Sequence, residues 1–230
     1  MYLLSDIHGA IEPILKWLNG TDEKYCIQLG DFGFIFEEKE NIAEEMQLDM
    51  LEEDLAEKDK ILFTILGNHE CWPRYISMDT VEIFGAKCWQ VRPHIYAVQR
   101  GEVLKIEDKT FLCIGGANSV DQDWRTKYKQ VYGINIWWPE EQIEVEDIGN
   151  ALHNCPDKKV DYVLTHTPPG DVSYKIFNST YLSESELQLD KIYCNFDFTH
   201  WYCGHLHLHD ESSYFGKNCT VLDINEYVTV

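Results

Sequence analysis

Basic residues are scarce in this chain of 230 residues. Lys and Arg number 19 against 40 Asp and Glu, a formal net charge of −21. That balance opposes simple electrostatic binding to nucleic acid or to an anionic membrane surface. Long apolar runs are missing too. No stretch approaches the roughly 18 residues of a membrane span, so no membrane partner is expected. No basic n-region precedes Asp6, so no signal peptide is read there. Paired cysteines are also lacking. The eight cysteines, at 26, 71, 88, 113, 155, 194, 203 and 219, are dispersed without a C-x-x-C. They read as buried free thiols of a cytoplasmic protein in a reducing compartment. Repeats, low-complexity tracts and linkers are absent, which leaves residues 1–230 as one expected domain.

Hydrophobic residues make up 44% of the chain, with seven Trp, enough for a sizeable core. Their spacing alternates between strand and helix patterns. Strands are expected at 1–4, 25–29 and 61–66. Between them, Ile11, Ile14, Leu15 and Leu18 recur at helical spacing up to Gly20. An acidic helix is expected over 40–58, with Ile42, Met46, Leu48, Leu51 and Leu55 as its apolar positions. This rhythm defines an α/β fold with parallel strands. Short strands at 81–84, 95–98, 103–106 and 111–114 suggest a second, mixed or antiparallel sheet. Residues 117–138, rich in aromatic and charged side chains, read as a long irregular segment. A helix start is expected at Pro139, further strands at 160–164 and 199–203, and a sheet-closing stretch at 214–230.

Five short motifs carry metal-ligand chemistry: Asp6-Ile7-His8, Gly30-Asp31, Gly67-Asn68-His69-Glu70, Thr165-His166 and Gly204-His205-Leu206-His207. Each follows the end of an expected strand, the rim where open α/β sheets bind ligands. Asp6 and His8, two residues apart in a tight loop, suit one ion. Asp31, at the tip of the adjacent strand, is placed to bridge two ions about 3.5–4 Å apart. Asn68 offers a neutral carbonyl oxygen, and His69 can stand free as a proton donor to a leaving oxygen. His205 and His207 project to the same side of an extended segment, and each can reach a different ion. Such a pair activates water and neutralises phosphate charge together.

As a set, these motifs resemble the five signature blocks of the calcineurin-like metallophosphoesterases, over residues 6 to 207. The resemblance implies a four-layer α-β-β-α sandwich with two mixed sheets and a dimetal site at the C-terminal strand ends. It implies that Asp6, His8, Asp31 and His207 hold one divalent ion, and Asp31, Asn68, His166 and His205 the other. His69 would be the catalytic acid or a phosphate contact, and a metal-bridging hydroxide would attack phosphorus in line. The mixed oxygen and nitrogen ligands suit Mn or Fe, and Zn also fits.

One block departs from the pattern. Where the protein phosphatase branch has Gly-Asp-x-x-Asp-Arg-Gly, this chain has Phe34 and Ile35 in place of the second Asp and the Arg. The residue that orients His69 and the one that grips phosphate must come from elsewhere. Arg125 is the candidate for the phosphate, with an ion pair to Asp121 or Asp123 as its alternative use. The aromatic residues Trp124, Tyr128, Tyr132, Trp137 and Trp138 could stack on a base or line a local core. The expected activity is hydrolysis of a small phosphodiester or nucleotide. The alternatives are a phosphomonoesterase or protein phosphatase, and a non-catalytic metal-binding scaffold for other proteins, a reading the intact ligand set opposes.

Overall fold

A computed structural model describes residues 1–178 and 180–230 of the chain. Its first half contains β1 (Tyr2–Leu4), α1 (Glu12–Gly20), β2 (Tyr25–Gln28), α2 (Ile42–Glu57), β3 (Ile61–Thr64), α3 (Trp72–Ile76), β4 (Thr80–Ile83), β5 (Ala86–Arg92), β6 (Ile95–Val98), β7 (Glu102–Ile106) and β8 (Lys109–Ile114). The second half adds α4 (Gln122–Tyr132), α5 (Val145–Asn154), β9 (Tyr162–Thr165), α6 (Gly170–Phe177), α7 (Glu184–Asn195), β10 (His200–Cys203), β11 (Asp210–Tyr214), β12 (Lys217–Val221) and β13 (Tyr227–Thr229).

The strands form two mixed sheets, ordered β13-β1-β2-β3-β6-β5-β4 and β11-β12-β10-β9-β8-β7. Side-chain alternation builds the layers. Tyr2, Leu4, Cys26 and Leu62 face outward onto Ile14 and Trp17 of α1 and Leu48, Leu51 and Leu55 of α2. Leu3, Ile27 and Phe63 face the other way, onto Leu104, Phe111, Leu164 and Tyr202 of the second sheet. The outer face of that sheet, with Leu112, Val163 and Trp201, is covered by Ile148 of α5 and by Leu189 and Ile192 of α7. The result is helix, sheet, sheet, helix, the α-β-β-α sandwich that the resemblance implies.

The short strands between 81 and 114 do not make a sheet of their own. β6 pairs parallel with β3, and β5 and β4 return antiparallel beside it, so all three extend the first sheet. Only β7 and β8 enter the second. The C-terminal stretch closes both sheets, with β12 beside β10 and β13 beside β1. Alternation identifies a strand but carries no label for its partner. The segment 117–138 contains α4 rather than being irregular throughout, and Pro139–Glu141 is one 3-10 turn before α5.

On α2 the buried residues are Leu48, Leu51 and Leu55, whereas Ile42 and Met46 are 78% and 60% exposed. Ile42, Met46 and Met50 form a separate stripe at i, i+4 and i+8 on the solvent side. Leu51→Ala is expected to cost about 2–5 kcal/mol in urea denaturation. Met46→Ala should stay within about 0.5 kcal/mol.

All eight cysteines are free, and seven of them are buried. Among the described residues, no helix is long and apolar enough to cross a membrane.

Candidate metal centre

Parallel register puts the strand tips in rank. Leu4 pairs with Gln28 and Gln28 with Thr64 in the first sheet, and Leu164 pairs with Tyr202 in the second. The residues just past these ends therefore meet on one rim. There Asp6, His8, Asp31 and His207 bring ligand atoms within 4.8 Å of one another, as do Asp31, His166 and His205. Asp31 belongs to both groups. Its Oδ1 lies 3.2 Å from His166 Nε2, while its Oδ2 lies 3.8 Å from His8 Nε2.

The remaining atoms of these side chains are tied down. His166 Nδ1 lies 2.9 Å from the Leu29 carbonyl, so it carries the proton and donates there, leaving Nε2 to face Asp31 and the Asn68 Oδ1 at 3.2 Å. Asn68 Nδ2 donates to Ser119 Oγ at 3.2 Å, which turns its Oδ1 toward the cluster. Ser119 is itself anchored, donating through Oγ and N to the Glu141 carboxylate. His8 and His207 bring their Nε2 atoms to 3.2 Å from each other. The backbone N–H groups of Asn68 and His69 both donate to Asp31 Oδ1 at 2.9 Å. Glu70 accepts from the N–H of Gly33 and of Gly67, clamping two ligand loops together.

Backbone conformation is specialised here. His8, Asp31, His205 and His207 all have positive φ, between 45° and 68°. Non-glycine residues seldom occupy this left-handed region, and when they do it is often at functional sites. Two motif glycines are required by close approach. A Cβ on Gly67 would lie 2.2 Å from Asp31 Oδ1, and one on Gly204 would lie 2.0 Å from Asp6 Oδ1.

The electrostatics follow from packing opposite charges out of water. Burial pushes the Asp31 carboxyl up, but the neighbouring His166 overrides it and holds the group well below the usual carboxylate range. Burial likewise opposes the charged form of His166, yet Asp31 and Asp6 raise it to about 10. His205 moves the other way, to about 4, through burial and then repulsion from His166. His166 Nε2 thus lies 3.2 Å from both Asp31 Oδ1 and Asn68 Oδ1, an arrangement of nitrogen and oxygen donors that suits a divalent ion. The donor set fits two ions that share one carboxylate.

His69 belongs to neither ligand group, although its Nε2 lies 4.0 Å from Asp31 Oδ2 and its ring meets that of His8 edge-on. The His69 Nε2 lies 2.9 Å from Arg125 Nη2, and its ring stacks on Phe36 at 5.9 Å between centroids. A guanidinium can only donate, so His69 is neutral and accepts at Nε2. Burial, with Arg125 and His8 adding to it, pushes its pKa down to about 4. Arg125 is nearly fully buried and heavily engaged. Its Nε pairs with Asp121 at 2.8 Å, and Nη1 donates to the Asn68 carbonyl at 2.8 Å. The ion pair to Asp121 and a place at the site thus coexist. Phe34 and Ile35 are packed into the core, each 1% exposed.

Sequence reasoning missed Ser119 and Glu141, which orient Asn68. Ser119 lies a few residues beyond the end of β8 and obeys the strand-end rule that singled out the other motifs. Glu141 carries no local signal. Ser119→Ala is expected to weaken binding of the second ion about 10- to 100-fold, the usual effect of removing a hydrogen bond behind a ligand. Calorimetric titration with Mn²⁺ would check this.

The fold and these clusters define a class: an α/β sandwich with a candidate two-metal centre at its strand tips. A family model described as calcineurin-like phosphoesterase matches residues 1–209, and the chain belongs to that family. It is a metal-dependent phosphoesterase, acting on phosphorylated substrates. No curated protein matches it. Among solved structures, the protein TT1561 of Thermus thermophilus is similar at TM-score 0.55 and 12% identity, over 97% of this chain and 89% of that one. A putative 5'-nucleotidase from Staphylococcus aureus, in complex with alpha-ketoglutarate, aligns at 0.49 and 13%, over 97% of this chain and 48% of its own. The phosphopantetheinyl hydrolase PptH of Mycobacterium tuberculosis aligns at 0.43 and 15%, over 97% and 89%. The likeness to TT1561 bears on the fold alone, and nothing is drawn from the other two.

Proposed function

We propose that residues 1–230 act as one domain that hydrolyses small phosphodiesters. Asp6, His8, Asp31 and His207 would hold one divalent ion, and Asp31, Asn68, His166 and His205 the other. The ligand set favours Mn or Fe, with Zn as a further fit. When bound, the ions supply an activated water and neutralise phosphate charge. The observation that carries the reading is the Asp31 carboxylate, which turns one oxygen to each ligand group.

The chain's own residues do the rest. An arriving phosphate competes for the Arg125 Nη2 that now donates to His69. The released imidazole, beside a new anion, takes up a proton from solvent at Nε2 and passes it to the leaving oxygen, which departs as the alcohol. The stack on Phe36 holds the ring in place during the exchange.

Beyond the ions themselves, the charge of the lining side chains supports a diester over a monoester. The cavity over the site is lined by Asp31, Asn68, His69, Arg125, His205 and His207, among others. Among these described lining residues Arg125 is the one Lys or Arg, and it already pairs with Asp121. A diester brings one negative charge, whereas a monoester dianion brings two. The buried Phe34 and Ile35 put neither an orienting Asp nor a phosphate-gripping Arg at the site, which speaks against a protein phosphatase.

The test compares bis-p-nitrophenyl phosphate with p-nitrophenyl phosphate in Mn²⁺-reconstituted protein. Faster diester turnover is expected. A monoester preference would overturn the diester reading, and no turnover of either by protein holding two ions would overturn the hydrolase reading on such substrates.

A further inference from the structure

A second cavity opens beside the metal-site cavity, and the two share His69, Asp121 and Arg125 as a partition. Its volume is about 310 Å³. That is at the lower end of small-molecule sites, which run from roughly 300 to 1,000 Å³. Its walls are Phe36, Trp124, Tyr128, Ile134 and Ile136. Phe36 is fixed between the His69 ring and the buried Trp138, at 5.9 and 6.4 Å between centroids. Trp124 and Tyr128 lie one turn apart on α4 with ring centroids 5.4 Å apart, and Trp124 is 57% exposed. A large indole left in water over an apolar hollow is a ready partner for a flat ring.

Besides the His69 ring and the Tyr128 hydroxyl, the charged groups at this cavity are Glu37, Asp121 and Arg125, and no Lys is among the described lining residues. Arg125 is already bonded to Asp121. An anionic group such as a second phosphate would be repelled, whereas N–H and O–H donors would be accepted.

We propose that this cavity is the leaving-group subsite, and that it takes an alcohol bearing a planar, uncharged ring with hydrogen-bond donors, as in a nucleoside. The proposal rests on the phosphodiester reading above. The leaving oxygen is the one beside His69, so the group esterified to it extends past His69, and this cavity lies there.

Two measurements test it. The first is equilibrium binding, by saturation-transfer NMR and calorimetry, of adenosine and benzyl alcohol, with ribose and glycerol as ring-free controls. The ring compounds are expected to bind and the controls not. Trp124→Ala should weaken the ring compounds about tenfold, as loss of one stack does. Absence of ring binding at millimolar concentration would overturn the subsite, whatever the chain hydrolyses.

The second is the ratio of kcat/KM for bis-p-nitrophenyl phosphate to that for glycerophosphoethanolamine, a diester without a ring. Trp124→Ala should shift it about tenfold toward the ring-free diester. An unchanged ratio in an active enzyme would overturn the subsite and leave the hydrolase standing. Ring binding without hydrolysis of any diester, in protein holding two ions, would overturn the phosphodiester reading and the leaving-group role that rests on it.

Discussion

Asp31→Ala is expected to abolish diester turnover, lowering kcat by at least about a thousandfold. Several kcal/mol of charge stabilisation by two ions is at stake, and each 1.4 kcal/mol is about tenfold. The reasoning is geometric. Asp31 alone belongs to both ligand groups. Its loss removes a ligand from each group. Both ions should therefore bind weakly or not at all. Asp31→Asn keeps the side-chain volume and an oxygen while removing the charge, so it separates the ligand role from simple packing. Metal content after dialysis and circular dichroism would accompany the kinetics. A folded Asp31→Ala protein that keeps two ions and wild-type turnover would refute the bridging role.

The second large effect belongs to His69. His69→Ala should lower kcat by about 10²–10⁴, the range for loss of a positioned acid, while metal content stays at two ions per chain. His69 is outside both ligand groups, so a loss of metal would contradict the assignment. The loss should also depend on the leaving group. p-Nitrophenol departs readily without a proton, whereas an alkyl alcohol does not, so the alkyl diester should suffer more. An equal loss on both would make His69 a phosphate contact. Arg125→Lys is informative beside it, because an ammonium cannot reproduce the fork that reaches Asp121, the Asn68 carbonyl and His69 together.

Much of the candidate site was legible because its determinants are local. Each proposed ligand sits within a few residues of a strand end, and parallel pairing turns those separate ends into one rim. The glycines in the motifs were visible, although only the structure explains them. Gly67 and Gly204 leave room for Asp31 and Asp6, which come from distant parts of the chain.

What stayed hidden depends on non-local contacts. Ile42 and Met46 are apolar and at helical spacing, yet α2 buries a different stripe, since a helix with apolar residues on two sides does not announce which side meets the sheet. The strands β4 to β6 were visible as strands, but their place in the first sheet depends on β6 pairing with β3. Helix α4 does carry a local signal. Trp124, Tyr128 and Tyr132 are spaced by four, and Gly133 ends the helix in a left-handed cap at φ 71°. That spacing puts the three rings on one helix face, while the place of Trp124 and Tyr128 beside His69 depends on the tertiary fold. The aromatic residues of 117–138 in fact divide, since Trp138 joins the core while Trp124 and Tyr132 stay exposed.

The central claim is that one carboxylate joins two ions at this rim. The most direct measurement is the number of Mn²⁺ ions bound per chain, in wild type and in Asp31→Asn, by mass spectrometry of metal content after reconstitution and dialysis. The account predicts two ions in wild type, and at most one, weakly held, in the variant, with turnover lost alongside. Two tightly bound ions in both proteins, or diester turnover in wild type stripped of all metal, would contradict it.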